Sequence, residues 1–352
     1  MTLAAFKNRA SQNQEAWRYT NLDTLLSPAA LDAEPFPHGP HACPFKTCLV
    51  FLNGIFEPSM SRFGSVPSCL LMGDRDSGYS LTLGEQTCLV AHPVELVFAS
   101  DSKAPDEIPL KFSISLGKNA RLSLLENHRA SAVPVSVETS VTLAPHAKFV
   151  HGKIVSGGPH LALYTVHAAE GSFYTNTSLL RRTRPARNEF SVHLDGQGAQ
   201  VSLNGIMFLN GHDHADTTAH VLHNAPHCTS RQSYKSVLDE SARGVFQGRI
   251  TVAPHAQKTD GYQISRALLL SDKAEMDSKP ELEIYADDVS CRHGNSVGDL
   301  DPDALFYLRS RGLDEKAARD LLIQGFLADA LDSLPVEAWG SSFRHELGLE
   351  PL

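Results

Sequence analysis

The chain has 352 residues, enough for one large domain or two to three smaller ones that each bury a core. Its 31 basic side chains are outnumbered by 40 acidic ones, a formal charge of −9, which argues against a nucleic-acid binder because that function needs a basic face. No run of about 20 apolar residues offers a membrane-spanning helix, and Met1-Thr-Leu-Ala-Ala-Phe-Lys-Asn-Arg9 turns polar too soon for a signal peptide, so a cytoplasmic protein is expected.

Residues 1–90 combine a helical start, Leu3 to Leu26, with a proline-rich connector (Pro28, Pro35, Pro37, Pro40, Pro44) and short strand-like runs such as Thr47 to Asn53. Clustered prolines break helices, so the connector is predicted to be a loop. Six cysteines, at 43, 48, 69, 88, 228 and 291, are scattered through a long chain and are expected to be free thiols. Cys43 and Cys48 have no second Cys or His pair at finger-like spacing downstream and are read as structural or incidental.

Residues 91–298 alternate strictly. Val133, Val135, Val137, Thr139 and Val141 recur at period two, as do Leu122 and Leu124, and later Leu282 and Ile284. That pattern predicts short strands with one face buried. The punctuation repeats as well. Leu116-Gly-Lys-Asn-Ala120, Leu143-Ala-Pro-His-Ala147, Leu194-Asp-Gly-Gln-Gly-Ala199 and Val252-Ala-Pro-His-Ala256 each run from an apolar residue through a turn to alanine. Several of these corners recur every ~20 to 30 residues, a solenoid period. Alternation alone leaves a β-sandwich or jelly roll open.

Residues 299–352 read as helical. Asp301 is placed to cap, Pro302 suits the first helical position and Gly312 ends the helix. Asp314-Glu315-Lys316 opens a second helix with an apolar stripe of Ala317, Leu321, Leu322, Phe326, Ala330 and Leu331, and a shorter one is expected from Val336 to Leu347.

Two constellations offer chemistry. Cys291 and His293 stand two apart in a Gly-broken loop, Tyr285 to Asp299, and suit a soft metal or an iron–sulfur cluster. Iron–sulfur clusters take about four ligands, so this pair supplies at most half a coordination sphere. His212, His214, His220, His223 and His227, with Asp213, Asp216 and Cys228 among them, form the denser group. His212 and His214 would share one strand face, which supports the rival reading of a metal-dependent cupin-type enzyme. Cys228 is expected to be a buried thiol. Arg181, Arg182, Arg184 and Arg187 surround Pro185 and read as a solvated turn or a partner-facing patch. Gly-x-x-x-x-Gly-Lys-Ser/Thr and Gly-x-Gly-x-x-Gly loops are both absent.

The run Lys279-Pro-Glu-Leu-Glu-Ile-Tyr-Ala-Asp-Asp-Val289, then Cys291 and His293, then Leu305-Phe-Tyr-Leu-Arg-Ser-Arg-Gly312 resembles the SufB/SufD family of the SUF iron–sulfur assembly scaffold. Ala225-Pro-His-Cys-Thr-Ser-Arg231, Arg243-Gly-Val-Phe246, Gln257-Lys-Thr-Asp260 and Trp17-Arg-Tyr-Thr20 match it too. The likeness leans to the SufD branch, since SufB lacks the Cys-x-His pair here. It implies a mainly β protein, with a right-handed parallel β-helix flanked by a small N-terminal α/β region and a C-terminal helical domain. It further implies a non-catalytic scaffold that pairs with a SufB-type homologue, or with a second copy of itself, through the β-helix edge. The SufC ATPase would dock on the helical end, for which Asp301, Leu305, Phe306, Tyr307, Arg309 and Arg311 are the candidate residues. The iron–sulfur cluster would be transient and shared, with His293 as ligand and Cys291 as ligand or neighbour, and no cofactor is expected to stay tightly bound to the isolated chain.

Overall fold

The computed structural model describes residues 1–26, 45–64, 71–129 and 131–349. The proline-rich connector, Cys43 and Cys69 lie outside the described residues. At the N-terminus the expected single helix is divided into α1 (Leu3–Gln12) and α2 (Leu22–Leu25). The break has a cause in the segment between them. Trp17 lies 4.0 Å from the Arg187 guanidinium, and the Thr20 hydroxyl donates to Asp216 Oδ2 at 2.5 Å, so the chain leaves the helix to reach the sheet.

The first strands are β1 (Thr47–Leu52), β2 (Ile55–Phe56), β3 (Arg62–Phe63), β4 (Leu71–Asp74), β5 (Gly78–Leu83) and β6 (Cys88–Ala99). Then follow β7 (Ile108–Leu116), β8 (Arg121–His128), β9 (Val135–Leu143), β10 (Lys148–Ala168), β11 (Phe173–Leu194) and β12 (Gln200–Leu209). The last are β13 (His214–His223), β14 (Thr229–Leu238), β15 (Arg243–Val252), β16 (Asp260–Leu269), β17 (Glu275–Ile284) and β18 (Ser290–Gly298). Pairing is parallel between alternate strands, so the chain coils as a β-helix of about eight turns. One face runs β1, β6, β8, the first halves of β10 and β11, then β12, β14, β16 and β18. The other runs β5, β7, β9, the second halves of β10 and β11, then β13, β15 and β17.

The period-two alternation becomes columns. Ile114, Val141, Val166, Val192, Val221, Ile250 and Leu282 are register partners from rung to rung, and all but Leu282 on the last rung are fully buried. The near-identical segments at 141–147 and 250–256 are therefore two copies of one rung position. At the corners Ala120, Ala147, Ala199 and Ala256 are buried, and the residue before the alanine is left-handed at Asn119, His146 and Gly198. A small buried side chain after a left-handed residue turns the backbone tightly enough to start the next rung.

The two ends of the coil differ. Short antiparallel pairings, β1 with β2 and β3 and β4 with β5, occupy the N-terminal end. At the other end β17 pairs with β15 and β18 with β16, and among the described residues no strand covers their outer edges. The helices α3 (Pro302–Ser310), α4 (Glu315–Asp332) and α5 (Glu337–Leu347) do not close that end. Instead α4 and α5 fold back on the flank, where Ile323, Leu327, Leu331, Trp339 and Phe343 pack on Leu125, Val150, Ile154, Leu179, Ile206 and Val237. The buried face of α4 is Ala318, Ile323, Leu327 and Leu331. The expected stripe was thus rotated: Ala317 and Leu321 are exposed, because this sheet presents a surface that the neighbouring turn of the helix fits.

Candidate functional site

Cys291 and His293 lie on β18, not on a loop. Register with β16 supplies the backbone partners that hold Gly294 and Gly298 extended, overriding the loop signal of the glycines. Both side chains continue columns that elsewhere fill the interior. Leu124, His151, Asn176, Leu203, Gln232 and Gln263 are consecutive register partners, all fully buried, and the next position is His293. Leu122, Phe149, Tyr174, Val201, Ser230 and Gly261 form the neighbouring column, which ends at Cys291. On the final rung the same orientation leaves His293 exposed and Cys291 half-buried.

Gly261 makes room for the thiol, since a Cβ there would stand 3.2 Å from Cys291 Sγ. Burial pushes the Cys291 thiol up, with the Asp260 carboxylate adding to it against a backbone hydrogen bond from Gly261. The isolated chain therefore holds Cys291 as a thiol at neutral pH, and a metal ion must displace its proton before it ligates. Ile284, Tyr285 and Val297 are exposed at the same end.

In α3 the Asp301 carboxylate accepts from the backbone N–H groups of Asp303 and Ala304 at 2.9 and 3.4 Å, so its own role is to cap the helix. Leu305 is half-buried, whereas Phe306 and Tyr307 are 74% and 55% exposed. Arg311 stands over the Tyr307 ring at 5.1 Å, and Arg309 is 3.7 Å from Glu315.

The histidine-rich stretch is dispersed, which corrects the cupin-type alternative. His212 is exposed in a turn, while His214 is buried at the start of β13 with Nε2 3.2 Å from the Thr20 hydroxyl. His220 points outward to Thr251, His223 inward to Ser230, and His227 occupies an exposed corner. The coil leaves no common face for them, and the fold is a β-helix rather than a cupin barrel. Cys228 is buried, donating to the Gly196 carbonyl at 3.3 Å. The arginine run is corrected at one position: Arg187 is fully buried, paired with Asp216 and stacked on Trp17.

Two groups escaped sequence reasoning. One lies inside the coil, where Glu126 accepts from the Tyr164 hydroxyl at 2.6 Å and from His128 Nε2 at 3.1 Å, with His151 Nε2 3.2 Å away. The other is His167, His193 and Asp195 on the outer surface, gathered by register from separate turns. Neither is a local motif, and only the rung-to-rung alignment reveals them.

Comparison with known proteins places these features. The family described as "SUF system FeS cluster assembly, SufBD core domain" matches residues 99–326. The iron–sulfur cluster assembly protein SufD of Escherichia coli (strain K12) is 29% identical over 359 residues, 92% of this chain and 85% of that protein. An iron–sulfur cluster assembly SufBD family protein of Synechocystis is 26% identical over 382 residues, 92% of this chain and 84% of that protein. SufD of Bacillus subtilis (strain 168) is 34% identical over 150 residues, 43% of this chain and 34% of that protein. The chain belongs to the SufBD family of the SUF iron–sulfur cluster assembly system.

Proposed function

We propose that the chain is a cytoplasmic, SufD-type scaffold subunit without catalysis of its own, which holds a nascent iron–sulfur cluster at a junction with a SufB-type homologue. The observation that carries this reading is the position of Cys291 and His293: interior columns end in a thiol and an imidazole on an uncovered terminal rung. The cluster is cargo. Two donors from this chain satisfy half of it, so it assembles only when a second subunit supplies thiolates, and it leaves when that subunit moves. A neutral imidazole in place of a thiolate adds no negative charge to the cluster and favours its release. Outer edges of β17 and β18 offer unpaired backbone groups to which the homologue adds its own strands. The SufC ATPase docks on the exposed aromatic surface of α3, and ATP hydrolysis belongs to that partner.

Anaerobic reconstitution with the SufB-type and SufC partners tests the reading. His293→Ala should abolish or strongly reduce the cluster chromophore on the complex while leaving complex formation intact; assembly equal to wild type would remove His293 from the role given to it. Docking is tested separately by Phe306→Ala/Tyr307→Ala, which should lose SufC in a pull-down, and retention at the wild-type level contradicts the assignment.

A further inference from the structure

We infer that the outer face of the β-helix carries a divalent transition-metal site formed by His167, His193 and Asp195, separate from Cys291 and His293. His167 on β10 and His193 on β11 are register partners one rung apart, and their rings stack at 4.7 Å with 17° between planes. Asp195 follows β11 at the corner, with Oδ2 2.9 Å from His167 Nδ1. One ligand atom from each of the three residues lies within 4.8 Å of the other two. A tetrahedral ion with bonds of about 2.0–2.2 Å holds its ligand atoms roughly 3.3 Å apart, so small side-chain rotations on a fixed backbone bring the three into place.

The surroundings suit ligation. Asn224 Nδ2 donates to Asp195 Oδ1 at 2.8 Å and orients the carboxylate while leaving Oδ2 for the metal. Two imidazoles and a carboxylate select zinc, cobalt or ferrous iron over calcium or magnesium, and three protein ligands leave a position for water or an exchanging donor. The bland alternative is a surface ion pair between His167 and Asp195, in which His193 has no part.

Titration of the untagged full-length chain with Co²⁺ separates the two. Wild type should develop visible d–d bands without the near-ultraviolet thiolate-to-cobalt band, and Zn²⁺ should displace them. His193→Ala, which spares the His167–Asp195 pair, and Asp195→Asn should each weaken binding at least about tenfold, with Asn224→Ala costing about tenfold through orientation. Cys291→Ser/His293→Ala should bind like wild type. Equal binding by wild type and His167→Ala/His193→Ala, no d–d bands in wild type, or loss of the signal only in the Cys291/His293 double variant overturns the assignment.

Discussion

Glu126 occupies a column position inside the coil, among a group of buried polar side chains that includes His128, His151, Lys153 and His160. It is tolerated because it is satisfied: Tyr164 and His128 donate to it, and Lys153 nearby donates to Asn188 at 2.7 Å while lying 4.7 Å from the Tyr164 ring centre. Burial alone would push Glu126 up, but His151 and His128 outweigh it and hold the carboxylate well below its ordinary range. Burial lowers His128 from 6.5 to about 4 and holds His160 well below its usual value. A histidine whose folded pKa lies below its unfolded one binds protons more readily in the unfolded chain. Stability is therefore lost as pH falls from about 6.5 towards 4, and His128 alone contributes roughly 2 kcal/mol of loss at pH 5. Urea unfolding at pH 7 and pH 5 should show a clear drop for wild type and a smaller one for His128→Gln, which cannot take up the proton. An identical drop in both proteins contradicts the assignment.

At the scale of elements, close approaches and straps decide what attaches to the coil. A Cβ on Gly152 would stand 2.9 Å from the Trp339 ring and from Leu125, so α5 seats only because that position is glycine. Gly152→Ala should lift α5 and cost about 1–3 kcal/mol by overpacking, with faster hydrogen exchange confined to the C-terminal helices as the check. At the other terminus Trp17 packs with Phe6, Leu22, Leu161 and Leu163. Trp17→Ala should cost about 3–5 kcal/mol and render residues before the connector protease-sensitive; a melting temperature unchanged from wild type counts against the strap. A coiled stack of short strands was legible in the sequence because alternation, repeated corners and Ala-terminated turns are local signals, whereas the choice of a parallel β-helix over a sandwich came from the family resemblance. So were the caps, as Asp301, Asp314 and Gly312 sit where expected. The division of the first helix, the burial of Arg187, the rotated face of α4 and the scattering of five histidines were not. Each depends on which residue lies one turn above another, and register over some 25 to 30 residues leaves no mark in a short window.

Across the whole molecule the asymmetry of the coil assigns its surfaces. Antiparallel strands occupy one end, helices cover one flank, and among the described residues no strand covers the last rung, where Ile284, Tyr285 and Val297 are exposed. The exposed apolar side chains at this uncovered edge suit a protein partner, and they stand beside the charged residues of β17, Glu275, Asp277, Lys279, Glu281 and Glu283. On the proposed function the open rung and α3 serve different partners and should fail independently. Ile284→Lys/Val297→Lys places charge on both edge strands, and substitutions at exposed positions alter the stability of the single chain by no more than about 0.5 kcal/mol each. This variant should bind the SufB-type homologue at least about tenfold more weakly, roughly 1.4 kcal/mol, while capturing SufC as well as wild type. Phe306→Ala/Tyr307→Ala should show the reverse. Calorimetric titration with each partner in turn gives the comparison. Loss of both partners by either variant means the two surfaces are one, since a single shared interface is the arrangement in which neither set of side chains can be changed alone.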